Sequence, residues 1–218
     1  MPKKDETMIL TRNFKVSDFR AVAPGDDAKQ NMLEGHAAVF DTITNIGNWY
    51  QEKIDQRAFD GCDFDDVLFF INHNTDKVPL ARSRRNNGNS TMQLKVDEVG
   101  LFVSAALDVE NNSEARQLYS SVARGDMDGM SFMFRVADDK WSGLDTDMPT
   151  RTILKIAKVF ECSAVNWPAY PTTDISARDQ MSLDNDRRAL DNARRSQELD
   201  NSREVNIYKL KNKILGGM

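Results

Sequence analysis

The sequence predicts an α+β domain built on a β-barrel core with a few packed helices. Most of the apolar residues fall in short segments of strand length, and turn signals separate these segments. One segment carries a well-marked helical pattern. The spacing of the predicted strands is Greek-key-like, and this spacing alone does not choose between a barrel and a sandwich.

The predicted strands follow one another along the first three quarters of the chain. Residues 9–14 can form an edge strand, and residues 33–40 begin the core. Residues 67–71 are a continuous apolar run, which is typical of a buried strand. A turn at residues 86–89 introduces a predicted hairpin, and a polar loop is predicted over residues 138–150. The hairpin and the later strands occupy residues 91–96, 101–107, 130–136 and 153–165, the last as one long bent strand or two short ones.

A helix is predicted between the hairpin and the strand that follows it. Asn111 or Asn112 can cap its first turn, Glu114 suits the positive end of the helix dipole, and Gly125 can end the helix. Its apolar residues recur at i, i+3, i+4, i+7 and i+8, so that one face can pack on the core. These residues are Ala115, Leu118, Tyr119, Val122 and Ala123.

Changes in composition divide the chain into three parts. Residues 1–30 form a polar N-terminal arm that includes the edge-strand segment, and residues 31–178 form the main domain. Residues 179–218 are rich in Asp, Arg, Asn and Gln and contain few large apolar residues. We interpret them as a charged tail, helical or disordered, that does not pack into the core.

The composition argues against several classes of function. A formal net charge of −5 at pH 7 is unlike that of a general nucleic-acid binder, and no apolar run approaches the ~18 residues of a membrane helix. The chain starts without an apolar signal segment, and we interpret Cys62 and Cys162 as thiols of a cytoplasmic protein, with a Cys62–Cys162 disulfide as the alternative. Neither a metal-binding motif nor a glycine-rich phosphate loop is present, so the sequence predicts no metal and no cofactor.

Two residues are candidates for chemistry. His73 follows the apolar run at residues 67–71, and Ser131 lies in a strand where Met and Phe alternate with other residues. This alternation sends Ser131 to the side opposite the core. An imidazole and a hydroxyl that meet across a sheet are the minimum for acyl transfer by a serine nucleophile. The same residues also fit a histidine that caps a strand and a serine on the solvent side of a strand.

Five short segments carry a resemblance to a known family. They are GHAAVF at residues 35–40, FINHN at 70–74, VGLFV at 99–103, GMSF at 129–132 and FECSAVNWPAYP at 160–171. In this order they resemble the prohead maturation proteases of tailed bacteriophages, the HK97-type family, over about residues 31 to 178. Two positions depart from the family pattern: Met133 stands where a glycine is common, and Asn74 where an aspartate often follows the histidine.

The resemblance implies a fold, an activity and partners. The fold would be the barrel of the herpesvirus assembly proteases, which is an assemblin-like fold. The activity would be that of a serine endopeptidase that cleaves the major capsid protein precursor, the scaffold or both, inside the prohead in the host bacterial cytoplasm. Self-cleavage and a homo-oligomer are further expectations, and no nucleic acid or membrane is implied as a partner. The alternative is a catalytically inactive scaffold or internal capsid protein on the same fold, which the retention of His73 and Ser131 disfavours.

The resemblance also suggests the roles of individual residues. Ser131 matches the nucleophile, His73 matches the general base, and Glu161 matches the acidic residue that would orient the imidazole. Asp76 is the rival for the acidic role. Arg135 and the backbone amides next to Ser131 are the candidates for an oxyanion hole.

Two further residues are placed outside the site. His36 is interpreted as a residue at the edge of the core, although the herpesvirus proteases use a second histidine as the third member of their triad. Ser163 shares a strand face with Glu161; it can support the site residues or be merely structural, and we interpret it as structural.

Overall fold

A computed structural model of the chain describes residues 8–15, 18–25, 30–166 and 177–215. This part contains eleven strands and two helices, so the predicted α+β class is confirmed. The strands are β1 (Ile9–Lys15), β2 (Arg20–Val22), β3 (Asn31–Val39), β4 (Thr44–Ile46), β5 (Tyr50–Ile54), β6 (Leu68–Ile71), β7 (Ala81–Arg82), β8 (Met92–Val96), β9 (Gly100–Leu107), β10 (Gly129–Ser142) and β11 (Thr150–Val165). The helices are α1 (Ser113–Arg124) and α2 (Ala177–Leu215).

Two sheets organise the strands. The larger sheet has seven strands, with β1, β10, β11, β5 and β4 side by side in that order. Strand β11 is antiparallel to β10 along its length, and it is parallel to β5 at its start and to β6 at its end. Strand β7 pairs with β6. The smaller sheet has the order β2-β3-β9-β8, and it contains the predicted hairpin as β8 and β9.

Strands β10 and β11 extend further than the sequence predicts. The expected polar loop over residues 138–150 is mostly strand, because β10 continues to Ser142 and β11 begins at Thr150. Lys140 pairs with Thr152 in this extension. Backbone hydrogen bonds to a neighbouring strand do not require apolar side chains, so polar residues can continue the ladder. The segment 153–165 forms one long strand, which was one of the two predicted alternatives.

The larger sheet is strongly curled. Arg12 on β1 contacts Glu52 on β5 at 2.5 Å, although β10 and β11 lie between these strands in the sheet. In a flat sheet three strand spacings would separate the two backbones by about 14 Å. Despite this curl, the strands of the described residues do not close into a barrel; they form two separate sheets. The predicted closed barrel is therefore not what the described part of the chain forms.

One hydrophobic core joins the two sheets. Phe132, Phe134 and Ile156 of the larger sheet and Leu33 and Leu101 of the smaller one all belong to it, and none is more than 1% exposed. The alternating pattern of β9 and β10 places every second side chain in this core. Burial of these apolar surfaces is the main stabilising contribution to the fold.

Helix α1 forms where the capping signals predict it. Oδ1 of Asn112 accepts hydrogen bonds from the amides of Glu114, at 2.9 Å, and Ala115, at 3.2 Å. Gly125 ends the helix with φ 76°, a left-handed conformation that glycine adopts without a steric penalty. The buried face of the helix consists of three of the five predicted residues, Ala115, Leu118 and Val122.

Helix α2 begins near the predicted domain boundary, and its residues 186–190 pack on the larger sheet. Asp186, Ala189 and Leu190 are buried, and Leu190 packs with Ile46 and Tyr50 of β4 and β5. The interpretation that residues 179–218 stay outside the core is therefore wrong for this stretch. The sequence did not indicate this packing because few apolar residues occur there. Part of the contact is made by a buried charged residue type, Asp186. Farther along, four apolar side chains are more than half exposed, namely Leu199, Val205, Ile207 and Tyr208.

Asp186 is part of a buried cluster of acidic and basic side chains. Asp186 accepts hydrogen bonds from Arg12 at 2.8 Å and from Tyr50 at 2.7 Å, and Arg151 donates to Glu52 at 3.3 Å. Burial lowers the pKa of Arg12, but the charges of Asp186 and Glu52 outweigh this effect and raise the pKa. Burial raises the pKa of Glu52, and the charge of Arg12 outweighs it and lowers the pKa. Arg12 and Glu52 therefore stay charged, and the hydrogen bonds that Asp186 accepts from Arg12 and Tyr50 tie α2 to β1 and β5.

A chain that ends at residue 178, the predicted boundary, should be less stable than the full chain. Removing Asp186 leaves the buried guanidinium of Arg12 with a single carboxylate partner, Glu52, and this should lower the free energy of unfolding by roughly 3 kcal/mol. Urea unfolding of both chains measures the difference. A chain that ends at residue 198 is the control, because it keeps Asp186 and Leu190 and should unfold like the full chain. Equal stability of the 178-residue chain would contradict a structural role for the start of α2.

Candidate active site

His73 lies in a tight turn directly after β6. Asn72 and His73 both have positive φ, 49° and 56°, and the amide of Asn74 donates to the carbonyl of Ile71 at 3.1 Å. Two central residues at positive φ are typical of type I′ turns, and Asn and His tolerate this region better than most residues. The amide of Asn72 donates to the carbonyl of Ala164 at 2.9 Å, which fastens the turn to β11. Backbone strain of this kind is concentrated at functional sites.

The imidazole of His73 contacts a buried carboxylate on β11. Nδ1 of His73 is hydrogen-bonded to Oε1 of Glu161, which is 2% exposed. The hydroxyl of Ser163 donates to Oε2 of Glu161 at 3.1 Å and accepts from the amide of His73 at 3.2 Å. Ser163 thus holds both the carboxylate and the backbone of the histidine. Through these two contacts Ser163 supports the site residues directly, in addition to the structural role that the sequence suggests.

Ser131 lies on the strand next to Ser163. The two serines are direct partners in the β10–β11 ladder, and Met133 is the partner of Glu161. Directly paired residues of antiparallel strands point to the same face, so Ser131, Ser163 and Glu161 share one face of the larger sheet. This is the face away from the Phe132 side, as the alternation predicts. Ser131 is nevertheless fully buried, and its hydroxyl donates to the carbonyl of Arg12 at 3.0 Å.

The other candidate residues lie elsewhere. Asp76 is exposed in the loop after the turn, so Glu161 is the carboxylate that the fold brings to the imidazole. His36 lies on β3 of the smaller sheet, where its ring contacts Asp18 at 2.5 Å and Asp97 at 3.1 Å. The guanidinium of Arg135 lies over the ring of Phe160, 5.2 Å from its centre.

Neither cysteine is suited to act as a nucleophile. Burial, reinforced by the charge of Asp63, raises the pKa of Cys62 to about 12. Burial, together with the charge of Glu161, raises the pKa of Cys162 well above its usual value. Both are free thiols, as the sequence predicts, and at neutral pH they are protonated. Within the described residues, no group of three His, Cys, Asp or Glu side chains is placed to hold a metal ion.

The sequence does not identify one polar residue that lies beside Ser131. Asn13 on β1 is the direct partner of Ser131, and its Oδ1 is buried. The residues are far apart in the chain, and the edge-strand pattern of residues 9–14 does not indicate which strand it pairs with. Sequence alone carries no signal for this neighbour.

Comparisons with known proteins identify the family of the chain. The family of caudovirus prohead serine proteases matches residues 18–187 of the chain. The prohead protease of Enterobacteria phage HK97 is 29% identical over 171 residues, which cover 78% of this chain and 68% of that protein. No solved structure matches the chain. Neither described helix is long and apolar enough to span a membrane. The match spans most of the chain and contains the elements that carry His73, Ser131 and Glu161, so this protein belongs to the caudovirus prohead serine proteases.

Proposed function

We propose that this protease uses Ser131 as its nucleophile and His73 as its general base, with Glu161 orienting the imidazole. The observation that carries the proposal is the contact between the buried carboxylate of Glu161 and Nδ1 of His73. Because Nδ1 faces the carboxylate, Nε2 is the nitrogen that can accept the proton of a serine hydroxyl. The carboxylate stabilises the imidazolium that forms when this transfer occurs.

The reaction follows from these assignments. The oxygen of Ser131 attacks the carbonyl carbon of the scissile peptide while its proton passes to His73, and the carbonyl electron pair moves to the oxygen. The carbon–nitrogen bond then breaks, and the imidazolium returns the proton to the leaving amine. Water repeats the sequence on the acyl-enzyme: its oxygen bonds to the carbonyl carbon while its proton passes to His73. The bond between this carbon and the oxygen of Ser131 then breaks, the imidazolium returns the proton to Ser131, and the carboxylic acid is released.

The described conformation is a resting state for this chemistry. Ser131 is buried and its hydroxyl donates to the carbonyl of Arg12. Rotation about the Cα–Cβ bond of Ser131 redirects the hydroxyl, and substrate must uncover this face of the sheet before the carbonyl can approach. Catalytic hydrogen bonds are often long or poorly aligned without substrate and tighten when substrate binds. A protease that rests in this state is restrained before its substrate is assembled around it.

Membership of the family supports a proposal about the substrates and the location. We propose that the protease cleaves the major capsid protein precursor, the scaffold or both inside the prohead, within the host cytoplasm, and that it also cleaves itself. The exposed part of α2 beyond Leu190 would dock the enzyme to the assembling shell, which raises its effective concentration there. Self-association and an assemblin-like fold of the core belong to the same proposal.

An inactive structural role is the second candidate, and the site argues against it. Burial of a carboxylate is costly unless it is paired, and Glu161 is paired with an imidazole in a strained turn. A scaffold protein has no need to maintain this combination beside a serine.

A fluorophosphonate reagent should modify one serine, Ser131, in the isolated chain or in proheads. Such reagents react with serines that a neighbouring base has activated. Peptide mapping by mass spectrometry locates the adduct, and Ser104, a strand serine of the smaller sheet, is the internal control that should stay unmodified. Modification of another serine, or of none in both preparations, would contradict the assignment.

A further inference from the structure

Attack by Ser131 places negative charge on the oxygen of the substrate carbonyl. Hydrogen-bond donors aimed at this oxygen make one of the largest contributions to catalysis by serine proteases. They must lie on the face of the larger sheet to which Ser131 points, within a few ångströms of its hydroxyl.

Backbone amides beside Ser131 are committed elsewhere. Strand β10 lies between β1 and β11, and its register with both is regular from Gly129 to Met133. In a strand with two antiparallel neighbours, successive amides donate alternately to one neighbour and the other within the plane of the sheet. These amides are therefore engaged in the ladders and do not point to the face where the oxyanion forms.

Arg135 is also poorly placed to bind the oxyanion. It lies four residues from Ser131 along the same strand, which separates their backbones by about 13 Å. Its guanidinium is held over the ring of Phe160, 5.2 Å from the ring centre. The backbone amides are thus committed to the ladders, and the guanidinium of Arg135 is packed on Phe160 in the described conformation.

Asn13 is placed where a donor is needed. It is the direct partner of Ser131 in the β1–β10 ladder, so the two side chains share a face and their Cβ atoms are about 5 Å apart. Its Oδ1 is buried, and no donor in the described part of the chain reaches it. Buried polar atoms are nearly always hydrogen-bonded, and an exception beside a nucleophile fits a group that binds substrate.

We propose that the side-chain amide of Asn13 is a donor of the oxyanion hole; this inference rests on Ser131 being the nucleophile. The terminal torsion of an asparagine is broad and two-fold, so a half-turn exchanges Oδ1 and Nδ2 without needing new space. After the exchange, the NH₂ group occupies the buried position and donates to the developing oxyanion. Because the group is held by a strand, it is positioned before the substrate arrives.

The rate at which a fluorophosphonate reagent modifies the full-length chain in proheads, where substrate is present, tests this role, since the phosphonyl oxygen of the reagent takes the place of the substrate oxyanion. Asn13→Ala should lower the second-order rate constant about 100- to 1000-fold while the adduct still forms on Ser131. Asn13→Asp keeps the shape but places a negative charge near the oxyanion, so it should be at least as slow. The matched control is Asn45→Ala, an exposed asparagine on the opposite edge strand of the same sheet, which should react like the wild type.

Two results would overturn the inference, and they distinguish its failure from the failure of the proposed function. If Asn13→Ala or the isosteric Asn13→Asp reacts within about twofold of the wild-type rate, Asn13 is not a donor, whereas Ser131 remains the nucleophile. If the wild type is modified on a different serine, the serine assignment fails and the role of Asn13 fails with it. Circular dichroism spectra that match the wild type establish that a slow variant is folded.

Discussion

Ser131→Ala should abolish processing of the capsid protein precursor while proheads still assemble. Loss of a triad nucleophile costs on the order of 10⁴- to 10⁶-fold in turnover. The fold should survive, because the change removes one hydroxyl and one hydrogen bond to the carbonyl of Arg12, a cost of about 1 kcal/mol. Co-expression of the protease with the capsid precursor, followed by gel electrophoresis of the particles, measures the effect.

A second strand serine provides the control for this experiment. Ser104→Ala changes a half-buried serine on β9, in the other sheet, and processing should continue at the wild-type rate. Normal processing by Ser131→Ala would show that the serine mechanism is wrong. Failure of the Ser104→Ala variant as well would indicate that loss of any strand serine disturbs the fold.

His73→Ala should be as damaging as Ser131→Ala, and the double variant should be no worse than either single one. Residues that act as one unit in a reaction are strongly non-additive, because removing one already removes the contribution of the other. The expected loss in processing rate is again on the order of 10⁴-fold or more. Rates of precursor cleavage for the two single variants and the double variant give the comparison.

Glu161→Gln distinguishes a positioned imidazole from an isolated one. The amide keeps the shape of the carboxylate and the contact with Ser163, but it does not stabilise an imidazolium, so cleavage should be slowed by an amount up to that of His73→Ala. Normal rates in Glu161→Gln would transfer the third role to another group.

For the earlier comparison of His73 and Ser131, a double variant whose loss is the product of the single losses would mean that the two residues act independently.

The predictability of the fold differed from element to element. Helix α1 was predictable because its cap, its apolar spacing and its terminal Gly125 are all local signals. The extension of β10 through residues 138–142 was not, since polar residues there are held by pairing with a strand that comes later in the chain. The predicted closed barrel also differs from the two sheets of the described residues. Alternation indicates which side chain faces the core, but it does not indicate whether the last strand meets the first.

For the candidate site, too, local motifs identified residues and the tertiary structure supplied the contacts between them. Local motifs singled out His73, Ser131 and Glu161, and the fold places Glu161 against His73 and on the same sheet face as Ser131. The link through Ser163 required the positions of β6 and β11, because one hydroxyl bridges a backbone amide and a carboxylate that lie 88 residues apart.

By itself the sequence determined the α+β class, the family, helix α1 and three candidate residues, because each of these depends on short motifs or on the local period of apolar residues. The tertiary structure decided that Asn13 lies opposite Ser131 and that α2 packs on the sheet. It also decided that Arg12 meets Asp186, which is 174 residues away in the chain. These contacts depend on register and on paired charges that are stable in the interior only when their partners are present. The local pattern of apolar residues in either segment does not indicate so distant a partner. The contact can therefore be identified only from the packed structure.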